Sequence, residues 1–424
     1  MSEPHTVELH ALKIVGGGVA LAHSNGATWM VAGALPGEDI RVLELRRRSG
    51  IVEAQTLEVL ANAHPARLGI PCPHAGPCGG CDWPHVDPSA GAKLKIQVAA
   101  DASRSHPDLA DRLREAPIQT SPLGYRLRAR LHFDPDQGAL GFYASRSNSI
   151  HPLSDCVIIS PRLLEALPRL NHALATTCPI PVDLEWLEDL GGEVAIGALR
   201  RSQGGSAPKR ELVPGANALQ GAMDGLHLLD DSGRVGKIWG GHTVNMDLPI
   251  SLEVPIGAFF QGNRHLVRPL FDRLVKLVGP TSVPVWDLHG GVGFLAAAAR
   301  VAARREIDLV EVFAPAAEAA RRNLPGATVH IGKTAESVLR RAGRLPKNAL
   351  VLTDPPRAGM NKDLRQRLAE WKAERILMLA CDPATWARDA AFLLDRGYQL
   401  THLELFDLFP STHHVEILAL LEHR

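Results

Sequence analysis

The sequence predicts an α/β protein in which a small N-terminal β-barrel and a mixed α+β middle region precede a Rossmann-like domain with a doubly wound, largely parallel sheet. Three observations support this class. Short β-rich segments separated by glycines fill the first part of the chain, a stretch rich in Pro, Gly and Cys follows at 63–82, and apolar strands then alternate with helices towards the C-terminus. We predict domains at 1–62, 63–248 and 249–424, with a helix near 91–115 able to pack on the third domain.

The composition is that of a globular protein and excludes fibrous and fully disordered classes. The chain has 424 residues, of which 45% are hydrophobic and 22% are charged. Lys and Arg together number 46, as do Asp and Glu, so contact with a nucleic acid would have to come from a local basic patch. No apolar run approaches the roughly 18 residues that span a bilayer, and the N-terminus lacks a signal-peptide pattern. We therefore expect a soluble, cytoplasmic protein with no membrane partner.

Two features of the first half of the chain are suited to RNA. Small barrels such as the oligonucleotide-binding (OB) fold predicted for 1–62 often bind nucleic acids, although many are only structural. Further on, Arg126, Arg128 and Arg130 alternate with apolar residues, and a period of two places their guanidinium groups on one face of a strand. A phosphate-binding face and an ordinary solvated face both fit this pattern.

Cysteine spacing gives the strongest indication of a metal. Cys72, Cys78 and Cys81 follow the pattern C-x5-C-x2-C in the Pro- and Gly-rich loop, and Cys156 is a distant fourth candidate. In a reducing compartment such thiols indicate metal binding rather than disulfides. Structural zinc sites usually take their ligands as two pairs of residues that are close in sequence. Three clustered cysteines with one distant cysteine therefore favour an iron–sulfur cluster, and a zinc site and free thiols are the alternatives. Cys178 has no partner in sequence and is predicted to be a small buried apolar residue.

A nucleotide crevice is predicted where the alternation of strands and helices begins. The short strand VPVW leads into Asp287 and a turn with Gly290, Gly291 and Gly293, after which a helix starts. Glycine lets the backbone approach a bound nucleotide, and Glu311, at the end of the next strand, can accept hydrogen bonds from both ribose hydroxyls. The same turn also fits a nicotinamide dinucleotide or a purely structural role.

Reactive side chains follow later strands of the same sheet. Asp354, in an Asp-Pro-Pro-Arg segment, and Cys381 each come directly after an apolar strand, so both are predicted at the edge where ligands bind. Amine-methylating enzymes also use Asp-Pro-Pro but usually place an aromatic residue next, where this chain has Arg357. Cys381 precedes a helix start and is placed as a nucleophile. Glu416, entering the last strand, is placed either as a base or as an edge ion-pair partner.

Together these motifs resemble the RNA uracil-5-methyltransferases that use S-adenosylmethionine, in the branch that carries an iron–sulfur cluster and an N-terminal TRAM domain. The resemblance covers essentially the whole chain, and Phe260-Gln261-Gly262-Asn263 matches the Phe-Gln-x-Asn motif of the family. It implies a class I methyltransferase domain, a TRAM-like barrel that binds RNA, and S-adenosyl-L-methionine and a [4Fe-4S] cluster as cofactors. The implied substrate is RNA, with 23S ribosomal RNA favoured over transfer RNA, and no obligate protein partner is implied.

The resemblance also implies roles for particular residues. Cys381 would add to carbon 6 of the uracil ring so that carbon 5 can accept a methyl group, and Glu416 would remove the carbon 5 proton. The implied cluster ligands are Cys72, Cys78, Cys81 and Cys156. The residues implied around the methyl donor are Gln261, Asp287, His289, Gly291, Gly293, Phe294, Glu311, Lys333 and Asp354.

Several positions depart from the family pattern. His289 stands where the family usually has Tyr or Phe, Phe294 replaces Thr or Asn, and Lys333 lies where an acidic or amide residue commonly approaches the adenine. Asp382, in place of Asn beside Cys381, is expected to raise the pKa of that thiol. The alternatives are a non-catalytic RNA-binding or assembly factor with a decayed donor pocket, and a nicotinamide-dependent oxidoreductase, which would leave Cys381 unexplained.

Overall fold

The structure is a computed structural model with three large β-sheets and a separate two-stranded sheet. It describes residues 5–68, 72–202, 208–230, 235–280, 282–304, 306–343, 346 and 348–423. The strands are β1 Thr6–His10, β2 Lys13–Val15, β3 Val19–Ser24, β4 Ala27–Ala32, β5 Asp39–Arg48, β6 Ile51–Ala61, β7 Ile118–Gln119, β8 Arg128–Asp134, β9 Ala139–Tyr143, β10 Ile150–Pro152, β11 Val182–Glu188, β12 Ala195–Arg201, β13 Gly225–Leu229, β14 Val235–Gly240, β15 Thr243–Met246, β16 Leu252–Pro255, β17 Val285–Asp287, β18 Ile307–Glu311, β19 Thr328–Ile331, β20 Leu350–Thr353, β21 Arg375–Ala380, β22 Tyr398–Phe406 and β23 Glu416–His423. The helices are α1 Pro88–Ala102, α2 Pro107–Glu115, α3 Pro161–Thr177, α4 Ala216–Leu219, α5 Val267–Val278, α6 Phe294–Ala302, α7 Ala314–Asn323, α8 Ala335–Ala342, α9 Lys362–Trp371 and α10 Pro383–Leu394, with a short 3-10 helix at Arg210–Leu212. Within the described ranges, no helix is both long and apolar enough to cross a membrane.

The first six strands form one curled sheet. Their order is β1-β5-β6-β4-β3-β2. The parallel pair β4–β6 joins the group β1, β5 and β6 to the group β4, β3 and β2. Every second residue of β4 is buried, and register shifts bend the long β5–β6 pair. Trp29 and Val31 face the interior, which Leu94 and Val98 of α1 help to close. This curled sheet agrees with the small β-barrel predicted from the sequence.

The helix predicted near 91–115 is in fact two helices. α1 begins after Asp87, whose carboxylate accepts hydrogen bonds from two backbone N–H groups of the first turn, and α2 begins at Pro107. Proline has no N–H group and favours the first position of a helix over its interior. Pro107 therefore begins α2 and does not continue α1. Ala99 of α1 and Leu113 of α2 pack in the same core as the C-terminal sheet, where α1 lies beside α10.

The middle region is a seven-stranded sheet with α3 packed against it. The strand order is β10-β9-β8-β11-β12-β13-β14, and only the β12–β13 pair among these is parallel. α3 begins after Ser160, whose hydroxyl oxygen accepts the Leu163 N–H. Leu167 and Leu170 on α3 share a core with Trp186 on β11. The region is therefore a mixed α+β unit with its own apolar interior.

The eight-stranded C-terminal sheet is doubly wound, as the sequence predicts. Its order is β19-β18-β17-β20-β21-β23-β22-β7; the first five strands are parallel, and β23 runs antiparallel to both neighbours. Helices cover both faces, which is why β20 and β21 are almost entirely apolar and buried. The direction of winding reverses between β17 and β20. Ligands bind at such a reversal, beyond the carboxyl ends of the strands.

A buried ion pair joins α1 to the segment between β22 and β23. Lys95 and Asp407 are each 1% exposed, and the ammonium group donates hydrogen bonds to the Asp407 carboxylate and to the Phe409 carbonyl oxygen. Burial lowers the pKa of Lys95 and raises that of Asp407, while their mutual attraction opposes both shifts. The pair therefore fixes the segment that leads into β23.

We expect Lys95→Met to lower the free energy of unfolding by about 3–5 kcal/mol, because the buried Asp407 carboxyl is left without its partner. The double change Lys95→Met with Asp407→Leu should recover most of that loss. The control is Lys13→Met, which removes a partly exposed pair with Asp101 and should cost less than about 1 kcal/mol. Urea unfolding near neutral pH measures all three, and equal losses for Lys95→Met and Lys13→Met would contradict the prediction.

Candidate active site and cysteine cavity

The Gly-rich turn after β17 shapes the floor of the crevice. Gly293 has a φ of 95°, and a Cβ at Gly290 would lie 2.3 Å from the side chain of Leu309, so both positions require glycine. The Gly290 N–H donates to the Val310 carbonyl oxygen at 3.0 Å, which draws the turn onto β18. Gly291 borders open space. The backbone is therefore accessible to a ligand at this turn, where α6 begins.

Two acidic residues hold the turn in place. Glu311, at the end of β18, accepts hydrogen bonds from the N–H groups of Gly291 and Phe313 at 2.8 and 2.7 Å. The Asp287 carboxylate accepts a backbone N–H of α6 at 3.2 Å. Burial raises the pKa of Asp287 to about 8, and the negative charges of Asp354 and Glu311 add to the rise. The crevice therefore concentrates carboxyl groups.

Gln261 and His289 continue the crevice towards β20. The Gln261 amide donates to the Asp354 carboxylate at 3.2 Å, so two residues far apart in sequence meet as the resemblance implies. His289 Nδ1 and the Thr353 hydroxyl are 2.9 Å apart. Burial lowers the pKa of His289 to about 4, which keeps its imidazole neutral near pH 7. The crevice is thus lined by one amide, one neutral imidazole and several carboxyl groups.

Cys381, Glu416 and Asp354 meet at the mouth of the crevice. Asp354 follows β20, Cys381 follows β21 and Glu416 begins β23, and these three strands are neighbours in the sheet. Burial raises the pKa of Cys381 to about 12, and Glu416 and Asp354 add to the rise. Burial and Asp354 likewise raise the pKa of Glu416. The Arg357 guanidinium opposes both shifts and so favours the charged thiolate and carboxylate, and a backbone hydrogen bond also lowers the pKa of Cys381.

The structure also gives the surroundings of Phe294 and Lys333, the other two residues implied around the donor. Phe294 is 5% exposed, and its ring packs edge-on against Phe260 and Phe271, with ring centroids 5.5 and 5.6 Å apart. Lys333 is exposed and lines a separate surface pocket with Trp286. The large ring in place of Thr or Asn is thus packed within the core, and Lys333 borders a surface pocket.

All four predicted metal ligands line one cavity. Its cysteines are Cys72, Cys78, Cys81 and Cys156. The cavity is otherwise largely apolar, and burial raises the pKa of Cys81 to about 12. In the described ranges, no three cysteine sulfur atoms all lie within 4.8 Å of one another. Cys178 lies apart, buried at the end of α3, as predicted.

The arginines after residue 125 do not form a free basic face. The Arg126 and Arg128 guanidinium groups lie over phenylalanine rings, 5.8 and 5.9 Å from the ring centroids. Arg130 donates to the Glu185 carboxylate at 2.8 Å. Part of the positive charge that the alternation predicts is therefore neutralised within the sheet.

A series of polar contacts that the sequence did not predict runs from the cysteine loop to Arg357. His413 Nδ1 contacts the Asp82 carboxylate at 2.6 Å, although the two residues are 331 positions apart. The rings of His413 and His414 lie 4.1 Å apart, and His414 Nε2 is 3.1 Å from the Arg357 guanidinium. The adjacent histidines just before Glu416 were the available signal, whereas nothing in the sequence pointed to Asp82.

Comparison with known proteins identifies the family. A family model described as tRNA (Uracil-5-)-methyltransferase matches residues 346–424. An uncharacterised RNA methyltransferase of Streptomyces avermitilis is 31% identical over 100% of this chain and 99% of its own. The 23S rRNA (uracil(1939)-C(5))-methyltransferase RlmD of Alkalilimnicola ehrlichii is 31% identical over 99% of this chain and 97% of its own. The crystal structure of Pyrococcus abyssi tRNA (uracil-54, C5)-methyltransferase in complex with S-adenosyl-L-homocysteine aligns with a TM-score of 0.76 and 20% identity, covering 97% of this chain and 100% of its own.

The doubly wound sheet and the crevice at its strand ends define an α/β protein of the methyltransferase fold, as the structural alignment indicates. The full-length relatives define the group within that fold: this chain belongs to the RNA uracil-5-methyltransferase family. The prediction of that family, and of an enzyme, is therefore confirmed.

We expect stability to fall as pH rises, because burial raises the pKa of Asp354 to about 7 and that of Asp287 to about 8 from an ordinary value of 3.8. The folded state then holds protons that the unfolded chain releases, so this stability is complete below about pH 4 and is lost as pH rises through about 7–8. Asp354→Asn should reduce the fall in Tm across this range, whereas the exposed Asp272→Asn should not. An unchanged pH slope in Asp354→Asn would contradict the prediction.

Proposed function

We propose that this protein transfers a methyl group from S-adenosylmethionine to carbon 5 of a uridine in RNA, with Cys381 as a covalent nucleophile. The observation that carries the proposal is the meeting of Cys381, Glu416 and Asp354 on three neighbouring strands at the mouth of one crevice. The family supports the reaction class. A nucleophile and a base at the same edge of one crevice are what uracil methylation needs.

The proposed mechanism begins with Cys381, because carbon 5 of uracil is too weak a nucleophile to react unaided. Its thiol proton leaves to solvent, and the thiolate sulfur adds to carbon 6, so that the electron pair of the ring double bond becomes an enolate that makes carbon 5 nucleophilic. With the donor bound, carbon 5 would use that electron pair to take the methyl group, whose bond to the donor sulfur would break with its electrons left on sulfur, and carbon 5 would then bear both the methyl group and its original hydrogen. The Glu416 carboxylate takes that proton, the double bond re-forms, and Cys381 leaves as thiolate. The ring has exchanged one hydrogen for one methyl group.

The residues of the crevice fit a cationic donor. When bound, S-adenosylmethionine supplies an electrophilic methyl group and a positive charge. Asp287, Glu311 and Asp354 interact electrostatically across the crevice and together favour a cation. We propose that Glu311 accepts hydrogen bonds from the ribose hydroxyls and that Gln261 and Asp354 contact the amino-acid part of the donor. The other residues that the resemblance implies, Asp287, His289, Gly291 and Gly293, are proposed to border the donor. Phe294 is proposed to act there through packing, and Lys333 at the outer rim.

We propose 23S ribosomal RNA as the substrate. The supporting observation is that relatives named 23S rRNA (uracil(1939)-C(5))-methyltransferase are 30–31% identical over almost the whole chain. A transfer RNA is the second candidate, which the description of the matching family model favours. In either RNA the target uridine must leave its stack to reach Cys381, so an unpaired loop is the expected site.

The parts before the catalytic sheet are proposed to bind RNA. In this proposal, residues 1–62 are a TRAM-like barrel, residues 63–248 carry the cluster loop and the middle domain, and residues 249–424 are the class I catalytic domain. Arg126 and Arg128 contact flanking phosphates, while Arg130 is partly neutralised by Glu185. A cytoplasmic location, where ribosomal RNA is modified, completes the proposal.

We propose that the cysteine cavity holds a [4Fe-4S] cluster. Three cysteines of one loop and a fourth from the segment before α3 line the same largely apolar cavity. Four thiolates are the usual ligand set of such a cluster. The absence of tight sulfur spacing within the described ranges disfavours a single zinc ion, whose ligands crowd closer than those of a cluster.

We expect Cys381→Ala to lose methyl transfer by about a thousandfold or more, because no thiolate activates carbon 5. Glu416→Gln should instead accumulate a covalent RNA adduct, visible as a slow band on denaturing gels, because the carbon 5 proton stays in place. The control is Cys178→Ala, a buried cysteine outside the crevice. Mass-spectrometric mapping of 5-methyluridine in cells that lack the gene and carry each variant measures the products.

Two results of this experiment would refute parts of the proposal. Full methylation by Cys381→Ala would exclude the covalent step. An identical 5-methyluridine map with and without the wild-type gene would exclude the function, and the position of a missing modification would distinguish ribosomal from transfer RNA.

We expect Cys156→Ser to lower the iron and sulfide content of protein purified without oxygen, because the fourth cysteine of the cavity no longer binds. Cys178→Ala, again outside the cavity, should keep both at the wild-type level. Wild-type protein that contains zinc and no iron would contradict the cluster and favour the zinc alternative.

A further inference from the structure

Arg357 is the positively charged group at the reactive edge, and few contacts hold its side chain. The residue is exposed, and its carbonyl oxygen accepts the Thr385 hydroxyl at 3.0 Å, which anchors only its backbone to the start of α10. The guanidinium donates to His414 Nε2 at 3.1 Å. An exposed arginine samples many rotamers, and restricting them costs free energy. The contact with His414 therefore helps to keep the charge beside Cys381 and Glu416.

His414 is supported in turn by residues from two distant parts of the chain. Its ring lies 4.1 Å from that of His413 and contacts the ring of Phe409 at 6.2 Å between centroids. His413 donates twice to one oxygen of Asp82, from Nδ1 at 2.6 Å and from its backbone N–H at 3.4 Å. Asp82 directly follows Cys81, a residue of the cysteine cavity. The orientation of His413 is thus set by the cysteine loop.

Packing at His413 brings three regions of the chain together. The Trp83 N–H donates to the Ser411 carbonyl oxygen at 2.9 Å, and its indole N–H donates to the Gly18 carbonyl oxygen at 2.7 Å. A Cβ at Gly18 would lie 2.9 Å from Cβ of His413. The N-terminal sheet, the cysteine loop and the segment before β23 therefore meet at this histidine.

These side chains could alternatively bind a metal ion, because ligand atoms of Asp82, His413 and His414 lie within 4.8 Å of one another. However, His414 Nε2 already accepts a hydrogen bond from Arg357, and Lys95 also faces His414. The positive charges of Arg357 and Lys95 therefore both act on His414, and their repulsion disfavours a cation bound there. The geometry favours a hydrogen-bonded support over a metal site.

We propose that Asp82 and His413 are positioning residues, which hold His414 as the acceptor for Arg357 and so keep the guanidinium at the reactive edge. This proposal deepens the proposed function and rests on it for the use made of the thiolate. It links the cysteine loop physically to the nucleophile, through four side chains in contact.

The consequence for Cys381 follows from the charges that face it. Glu416 and Asp354 disfavour its thiolate, and Arg357 favours it. When the support of Arg357 is removed, the two acidic groups act without their counter-charge. The thiol should therefore ionise at a higher pH, and the thiolate fraction near pH 8 should fall about tenfold for each unit by which its pKa rises.

The test is the rate at which iodoacetamide alkylates Cys381 in the full-length protein, followed by mass spectrometry of its peptide between about pH 7 and 10. His413→Ala should slow the reaction about three- to tenfold at a given pH. His413→Asn keeps an N–H donor near the position of Nδ1 and should react close to the wild-type rate. Negatively charged iodoacetate should be slowed more than neutral iodoacetamide, because a nearby positive charge has moved.

A second pair of variants separates positioning from general loosening. Asp82→Ala should slow alkylation in the same direction as His413→Ala. The matched control is Asp39→Ala, which removes a comparable contact of 2.7 Å with His10 in the N-terminal sheet and should leave the rate unchanged. Loss of packing alone would expose the thiol and accelerate alkylation.

Unchanged or faster alkylation in His413→Ala would overturn the proposal, as would equal effects of His413→Ala and His413→Asn. The measurement uses neither RNA nor methyl donor. A wild-type protein that methylates no RNA would therefore refute the proposed function while the alkylation comparison still decides the role of Asp82 and His413.

Discussion

Burial of acidic groups beside a thiol is the constraint on which the rest of the site depends. Glu416, Asp354 and Cys381 ionise less readily at the strand ends than in water, and each disfavours the charge of its neighbours. The mechanism proposed for carbon 5 nevertheless needs a thiolate and a carboxylate. Positive charge must therefore be supplied, by Arg357 within the chain and by the sulfonium of the proposed donor. In the free protein the raised pKa of Cys381 favours the protonated, less reactive form of its thiol.

Parts of the chain outside the catalytic sheet hold the segment that leads to Glu416. The segment between β22 and β23 carries the approach to Glu416, and Lys95 of α1 binds it at Asp407 and Phe409. The Tyr125 hydroxyl donates to the Pro410 carbonyl oxygen at 3.1 Å. Helices, middle domain and cysteine loop thus all hold one short segment. Such a segment has few contacts of its own, so its precision comes from its neighbours.

Local sequence patterns were sufficient to predict those features that a single type of secondary-structure element decides. The alternation of apolar strands and helices predicted the doubly wound sheet, since strands covered on both faces must be apolar throughout. Prediction from local pattern failed where a helical pattern and a helix-start signal overlap. The helical pattern at 91–115 is interrupted by Pro107, which starts a second helix. Phe294 was assigned to the donor site from its place in the motif, and the structure adds that its ring packs against Phe260 and Phe271. Only the three-dimensional neighbours of a side chain distinguish those roles.

The sequence by itself determined the family, the strand ends at which Cys381, Asp354 and Glu416 are placed, and the four cysteines that share a cavity. The family follows from the resemblance of several short motifs, the strand ends from periodicity, and the cysteine set from its spacing, all of which are local properties of the sequence. The tertiary structure alone decided which charges face the thiol and how Arg357 is held. Those depend on contacts such as that of Asp82 with His413, between positions 331 residues apart. No local pattern encodes such a contact, because it exists only after the sheets, the loop and the last strands have packed together.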